Sequence, residues 1–178
     1  MTSIIKVDTL QKANGGTPTA ADLGINTTGT VLQVQHNIFN GNAGASTTTY
    51  VSFGRYIDIT PKYANSRIVI TWSGTAYAHS NSNGYFTIFR TLSGGSATNM
   101  YNNGDYDTNS SQQALRQVGV PTSGSTGYFP SYISFIDTTH NSTGTIRYDL
   151  YGKRGSNEIY FPPGTSDAVD VIATEIAG

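Results

Sequence analysis

The chain has 178 residues, enough for one domain of ordinary size with a single sizeable core and an appendage. Charged residues make up 12% of it, ten basic against eleven acidic for a net charge of −1, so there is no basic footprint for nucleic acid or an anionic membrane. Without a cysteine, an apolar run near the ~20 residues of a membrane span, or the charged-then-apolar opening of a secretory signal, the sequence predicts a soluble protein held by packing and hydrogen bonds.

In chain order, residues 1–30 come first and differ from the rest. Thr2 to Gln11 reads as a short strand-like piece, and Lys12 to Thr30 is rich in Gly, Thr, Pro and Ala. Such a segment cannot make a core of its own and gains order by lying on another chain. We expect an extended N-terminal arm over 1–30 whose apolar contacts are Ile4, Ile5, Val7, Leu10, Leu23 and Ile25.

From residue 31 the apolar period is two almost throughout. Val31 to Phe39 is the first run, with Leu32, Val34 and Ile38 expected inward; Val51 to Ile59 follows. Ser66 to Trp72 puts Ile68, Ile70 and Trp72 on one face and Arg67, Val69 and Thr71 on the other. Further runs cover Tyr85 to Leu92, Tyr128 to Ile136, Thr145 to Lys153 and Ala168 to Ile176, with a weaker one near Asn99 to Tyr106. Helical spacing occurs only briefly, near Gln112 to Val118.

Turn clusters such as Asn40-Gly-Asn-Ala-Gly, His79-Ser-Asn-Ser-Asn-Gly, Ser93-Gly-Gly-Ser and Asn141-Ser-Thr-Gly reverse the chain between runs. Short antiparallel strands that each bury one face resolve into two packed sheets. The expectation is an all-β fold, an antiparallel β-sandwich of jelly-roll type over 31–178.

The search for chemistry is mostly negative. There is no nucleophile elbow, phosphate-binding loop, dinucleotide fingerprint or His-Glu-x-x-His. His36, His79 and His140 fall in separate segments and read as solvated or hydrogen-bonded singles. Asp105-Tyr-Asp-Thr-Asn109 imitates the opening of a calcium loop, but Ser110 replaces the turn glycine and Arg116 stands where the bidentate glutamate belongs, so it reads as a polar surface loop. Glycoside cleavage needs paired carboxylates. Nothing selects a pair from Glu158, Glu175, Asp105, Asp107, Asp137 and Asp149. The chain is read as no enzyme, with no cofactor and no metal.

Twelve tyrosines and one tryptophan admit two readings. Aromatic faces can stack on sugar rings, and the candidate ligand loop is Asn99 to Asp107, with Tyr101, Asp105, Tyr106 and Asp107. Tyrosines also suit half-buried strands and subunit interfaces, the simpler reading for Tyr56, Tyr77, Tyr148 and Tyr151. The last strand has apolar residues on both faces, Val169 and Val171 against Ile172 and Ile176. It calls for cover beyond its own core, which makes Val169, Val171 and Ile176 candidates for a threefold interface.

The opening Ser3-Ile-Ile-Lys-Val-Asp-Thr-Leu-Gln11, with Gly15-Gly-Thr-Pro-Thr-Ala-Ala-Asp-Leu-Gly-Ile-Asn-Thr-Thr-Gly-Thr-Val-Leu-Gln-Val-Gln35, resembles the start of virion structural and fibre-like proteins of marine phages, especially cyanophages. The remainder is similar, more loosely, to phage jelly-roll domains that trimerise in the manner of the tumour-necrosis-factor and complement families. The residues behind that likeness are Ile59-Thr-Pro-Lys-Tyr-Ala-Asn-Ser-Arg-Ile-Val-Ile70, Ser134-Phe-Ile-Asp137 before Thr145-Ile-Arg-Tyr148, and Ile172-Ala-Thr-Glu-Ile-Ala177. The resemblance implies a homotrimer on the virion surface, its arm attached to major capsid or tail proteins and its sandwich pointing outward. A decoration, cement or short-fibre protein follows; the alternative is a tail-associated adhesin whose loops, including Thr122 to Gly127, recognise host surface glycan or protein. The long shaft repeats of a full fibre are missing.

Overall fold

A computed structural model describes residues 11–18, 28–79, 83–100, 116–119 and 127–178, with residues 116–119 described by their backbone. Eight principal strands divide equally between two antiparallel sheets: β1 (Val31–Asn40), β3 (Val51–Ile59), β4 (Arg67–Ala78), β5 (Asn83–Leu92), β7 (Arg116–Gly119), β8 (Gly127–Asp137), β9 (Ile146–Arg154) and β11 (Ala168–Ile176). Short strands β2 (Gly44–Ala45) and β10 (Ile159–Tyr160) extend the first sheet, and β6 (Thr98–Asn99) the second. Arg116–Gly119, at the edge of the only helix-like spacing, pairs with β5 as a strand.

Counted from the two ends of the domain, the principal strands pair outermost with outermost: β1 with β11, β3 with β9, β4 with β8, β5 with β7. That is a long hairpin rolled on itself, the jelly roll expected from the strand pattern. The first sheet runs β1-β11-β4-β8 and the second β3-β9-β5-β7.

Alternation decides what lies between the sheets. Ile68, Ile70 and Trp72 of β4 are fully buried, as their spacing predicts, against Val169, Val171 and Ala173 of β11 and Ile57, Phe86, Ile88, Ile146 and Leu150 of the second sheet. Each such side chain contributes about 1.5–3 kcal/mol of burial. Gly152 lies where a methyl group would enter the Phe53 ring, which sits edge-on to Phe86. Gly152→Ala is therefore expected to cost about 1–3 kcal/mol, measured as a lowered urea midpoint.

Two buried carboxylates tie the layers together. Asp137, at the end of β8, receives Nη1 of Arg90 on both oxygens (2.9 and 2.8 Å) and the Tyr148 hydroxyl at 2.7 Å, joining the first sheet to β5 and β9 of the second. Burial raises its pKa, yet the hydrogen bonds from Arg90, Tyr148 and the Thr139 amide, with the Arg90 charge, outweigh burial and hold it below the usual value. Glu175 accepts the amides of Lys62 (2.8 Å) and Tyr63 (3.2 Å) and the Gln33 side chain (2.6 Å), fixing the β3–β4 connection beside β11.

The first strand departs from its expected facing. Leu32, Val34 and Ile38 were expected inward, but a shift in register between Val31 and Gln33 turns the strand over. Gln33, Asn37 and Phe39 now stand opposite Glu175, Val171 and Val169, while Val34 and Ile38 point outward. Here β1 overlies the edge of β3. Gln33 donates to the Thr60 carbonyl and Asn37 to that of Tyr56, which suits polar side chains better than apolar ones.

Candidate functional site

The outer faces of the two sheets differ in chemistry. On the second, Phe89 stacks on Tyr151 at 4.0 Å, Tyr50 packs against Phe89, and Lys153 lies over the rings of Tyr50 and Tyr85. Arg147 lies 3.7 Å from the Tyr56 ring centre and bridges Asp58, which holds its guanidinium charged. This face is covered by its own side chains. Beside it, Asp149 accepts from Ser52 at 2.6 Å, but its other oxygen is buried without a hydrogen-bond partner among the described residues. Burial pushes its pKa up, more than Ser52, Arg147 and the Leu150 amide pull it down.

A raised carboxylate pKa works against the fold once the group ionises: the favourable contribution is complete below the unfolded value, about 3.9, and is lost as pH rises through the folded one. We expect Asp149→Asn to raise stability at neutral pH by on the order of 1 kcal/mol, an advantage that vanishes near pH 3. Thermal melts at the two pH values check this.

Among the described residues the outer face of the first sheet has no such cover. Register places Val31, Val34 and Ile38 of β1, Ile172 and Ile176 of β11, Val69 of β4, and Tyr132 and Ile136 of β8 on one side. Of the eight large hydrophobic residues exposed among the described residues, seven lie on this face, Tyr63 being the exception. Val34, Ile38 and Ile136 expose 55%, 57% and 54% of their surface. His36 and Asp170, 3.3 Å apart, and Arg67 at one end supply the charge. At ordinary strand spacing the apolar patch measures roughly 15 by 20 Å, or ~300 Å². Patches of ~300–600 Å² on a monomer are often functional.

The interface candidates therefore divide. Val169 and Val171 are fully buried between the sheets, so their side chains are core and unavailable to a partner. Ile176 is partly exposed and stays on the outer face with Ile172. The two sets lie on opposite faces of β11, as their spacing predicts, and only the outer one can meet a partner. The arm residues Ile4, Ile5, Val7, Leu10, Leu23 and Ile25 and the loop residues Tyr101, Asp105, Tyr106 and Asp107 lie outside the described residues.

The candidate ligands and carboxylates are dispersed. His36 meets Asp170; His79 meets the Tyr77 ring edge-on; His140 is buried, with Nε2 2.9 Å from the Ser66 carbonyl and Nδ1 accepting the Ser142 amide. Among the described residues no three His, Asp or Glu side chains gather as a metal site. Glu175 and Glu158 belong to opposite ends of the first sheet, opposite Ile68 and beside Ala78 respectively.

No family model and no curated protein sequence matches the chain. Among solved structures, the VP2 subviral particle of infectious bursal disease virus is similar at a TM-score of 0.44 and 11% identity, over 83% of this chain and 34% of that one. Structures of the Gt and Gx strains of the same virus give TM-scores of 0.39 and 0.40 at 9% and 12% identity, over 83% and 82% of this chain. The chain spans 34%, 39% and 37% of the length of these three.

Proposed function

We propose that this chain is a bacteriophage virion structural protein, a surface-exposed decoration, cement or short-fibre subunit that works as a homotrimer and carries no catalytic chemistry. The observation that carries the reading is the uncovered apolar face of the first sheet. Its natural occupant is a second copy of the same chain, because the face is nearly uncharged and repeats on every subunit. A standard interface buries ~800 Å² on each partner, more than this patch alone, so the arm over 1–30 supplies the remaining contact and docks on the particle. The resemblance of the opening to phage virion proteins supports that docking. The jelly roll is compatible with it, although the same architecture serves other proteins.

The test is to label intact particles with an antibody against residues 40–178 and locate it by electron microscopy. Label over the whole head is the expected result for a decoration or cement protein, and label along an appendage for a short fibre. Particles without label would overturn the virion assignment.

A further inference from the structure

At the end of the first sheet away from the apolar patch, register builds an arrangement invisible in the sequence. Gly44, Tyr160, Tyr77 and Tyr128 stand side by side across β2, β10, β4 and β8. The Tyr77 ring lies 5.1 Å from Tyr128 and 5.8 Å from Tyr160, tilted by 59° and 51°. Because the rings are inclined, they form the wall of a cleft of about 270 Å³ completed by Asn42 and Pro163. Tyr160 also borders a neighbouring cleft with Glu158, Ser46 and Gly44. Gly44 has a structural reason to be glycine here, since a methyl group would collide with the Tyr160 ring and drive it from its place.

From this geometry we infer a carbohydrate-binding cleft in which a neutral pyranose stacks on Tyr128 and Tyr77 while Asn42 and the Tyr160 hydroxyl bind its hydroxyls. Sugar rings present C–H groups on their faces, which suit the negative face of an aromatic ring. The volume falls just under the ~300 Å³ at which drug-sized pockets begin, which fits one or two sugar units. Polar groups stand at the rim: the Tyr160 hydroxyl, held by donating to Glu158 Oε2 at 2.6 Å, can accept from a sugar hydroxyl, and the Asn42 amide can both donate and accept. The hydrogen bond to Glu158, with some burial, raises the pKa of the Tyr160 hydroxyl above its ordinary value. Among the described residues neither cleft is lined by lysine or arginine, and the Glu158 carboxylate in the neighbouring cleft disfavours acidic sugars.

Placement agrees with recognition. The chain enters β1 through Thr28–Thr30, which hydrogen-bond to Ala177 and Gly178 at the end of β11. Along β4, the tyrosine row stands ten residues from that end, or roughly 33 Å. A subunit attached through its N-terminal side thus presents the cleft at its far tip. Small residues, Ala168 and Thr75, lie between the row and the apolar patch, so occupancy of one does not cover the other.

The experiment is saturation-transfer NMR on the intact chain with the methyl pyranosides of glucose, galactose, mannose and N-acetylglucosamine at millimolar concentration, and glucuronate as the acidic counter-probe. Transfer to the ring C–H protons of at least one neutral sugar is expected. Tyr128→Ala, at a largely exposed position, should weaken it about tenfold. Tyr160→Phe, which keeps the ring, should weaken it less, and Ile136→Lys on the apolar patch should leave it unchanged. Silence from all four neutral sugars, preference for glucuronate, or binding indifferent to Tyr128→Ala would each overturn the inference. These results are independent of whether particles carry the antibody label.

Discussion

Asp137→Ala should destabilise the domain by about 3–5 kcal/mol, because it strands the Arg90 guanidinium between the sheets without its partner. Asp137 is fully buried and the Arg90 side chain only 13% exposed, so solvent can repair little of the loss. Tyr148, also fully buried, loses the acceptor 2.7 Å from its hydroxyl at the same time. Urea unfolding followed by the fluorescence of Trp72, the single tryptophan and a fully buried one, gives the measurement. A change below about 1 kcal/mol would mean that Arg90 reaches water, contrary to the packing described. Replacing both partners, as Asp137→Leu with Arg90→Met, should recover much of the stability, since an apolar pair carries no desolvation debt.

The pH dependence has a definite sign. The folded pKa of Asp137 lies below its unfolded value, so the stabilisation is complete above about pH 4 and is lost as pH falls through the folded value. Between neutral pH and that limit this network holds constant, while Asp149 gains as it protonates. Wild type should therefore pass through a shallow stability maximum in mild acid before failing in strong acid. The Asp149→Asn variant should show the acid fall without the rise.

The second large effect is on assembly. Sedimentation equilibrium of the chain at neutral pH is expected to give three times the 19.0 kDa chain mass. Ile172→Lys and Ile136→Lys should each weaken that association by 2 kcal/mol or more, on the order of 30-fold in dissociation constant for a residue central to an interface. Both side chains point away from the core, so the monomer should keep its circular dichroism and its buried tryptophan emission. Lysine is chosen because its charge cannot be buried against an apolar copy of the same face. A wild-type mass of one chain at every concentration would refute self-association through this surface.

Much of the fold was legible because period-two alternation and turn residues are local signals. Ile68, Ile70, Trp72 and the sets on either side of β11 could be separated by parity alone. The facing of β1 could not, because a single irregularity between Val31 and Gln33 inverts the strand and nothing in its composition marks the position. That Val169 and Val171 are core and not interface is hidden for a different reason: an apolar residue on a strand does not announce whether the layer above it is the same chain or another. The tyrosine row was the least legible feature. Tyr77, Tyr128 and Tyr160 belong to three distant segments, and Tyr77 was read as a plain sheet residue; only strand register makes them neighbours.

The pairing of β1 with β11 has a consequence for how the domain is made. The central position between β1 and β4 is filled by Ala168–Ile176, some of the last residues of the domain to leave the ribosome. Until then β1 lacks its hydrogen-bonding partner and the core beneath Trp72 is open on that side. Folding must wait until β11 has been made, and the dominance of such sequence-distant pairings places the domain among slow folders, on the millisecond-to-second scale. Shortening the chain from within β11 would accordingly remove a structural centre, with consequences far greater than loss of an edge.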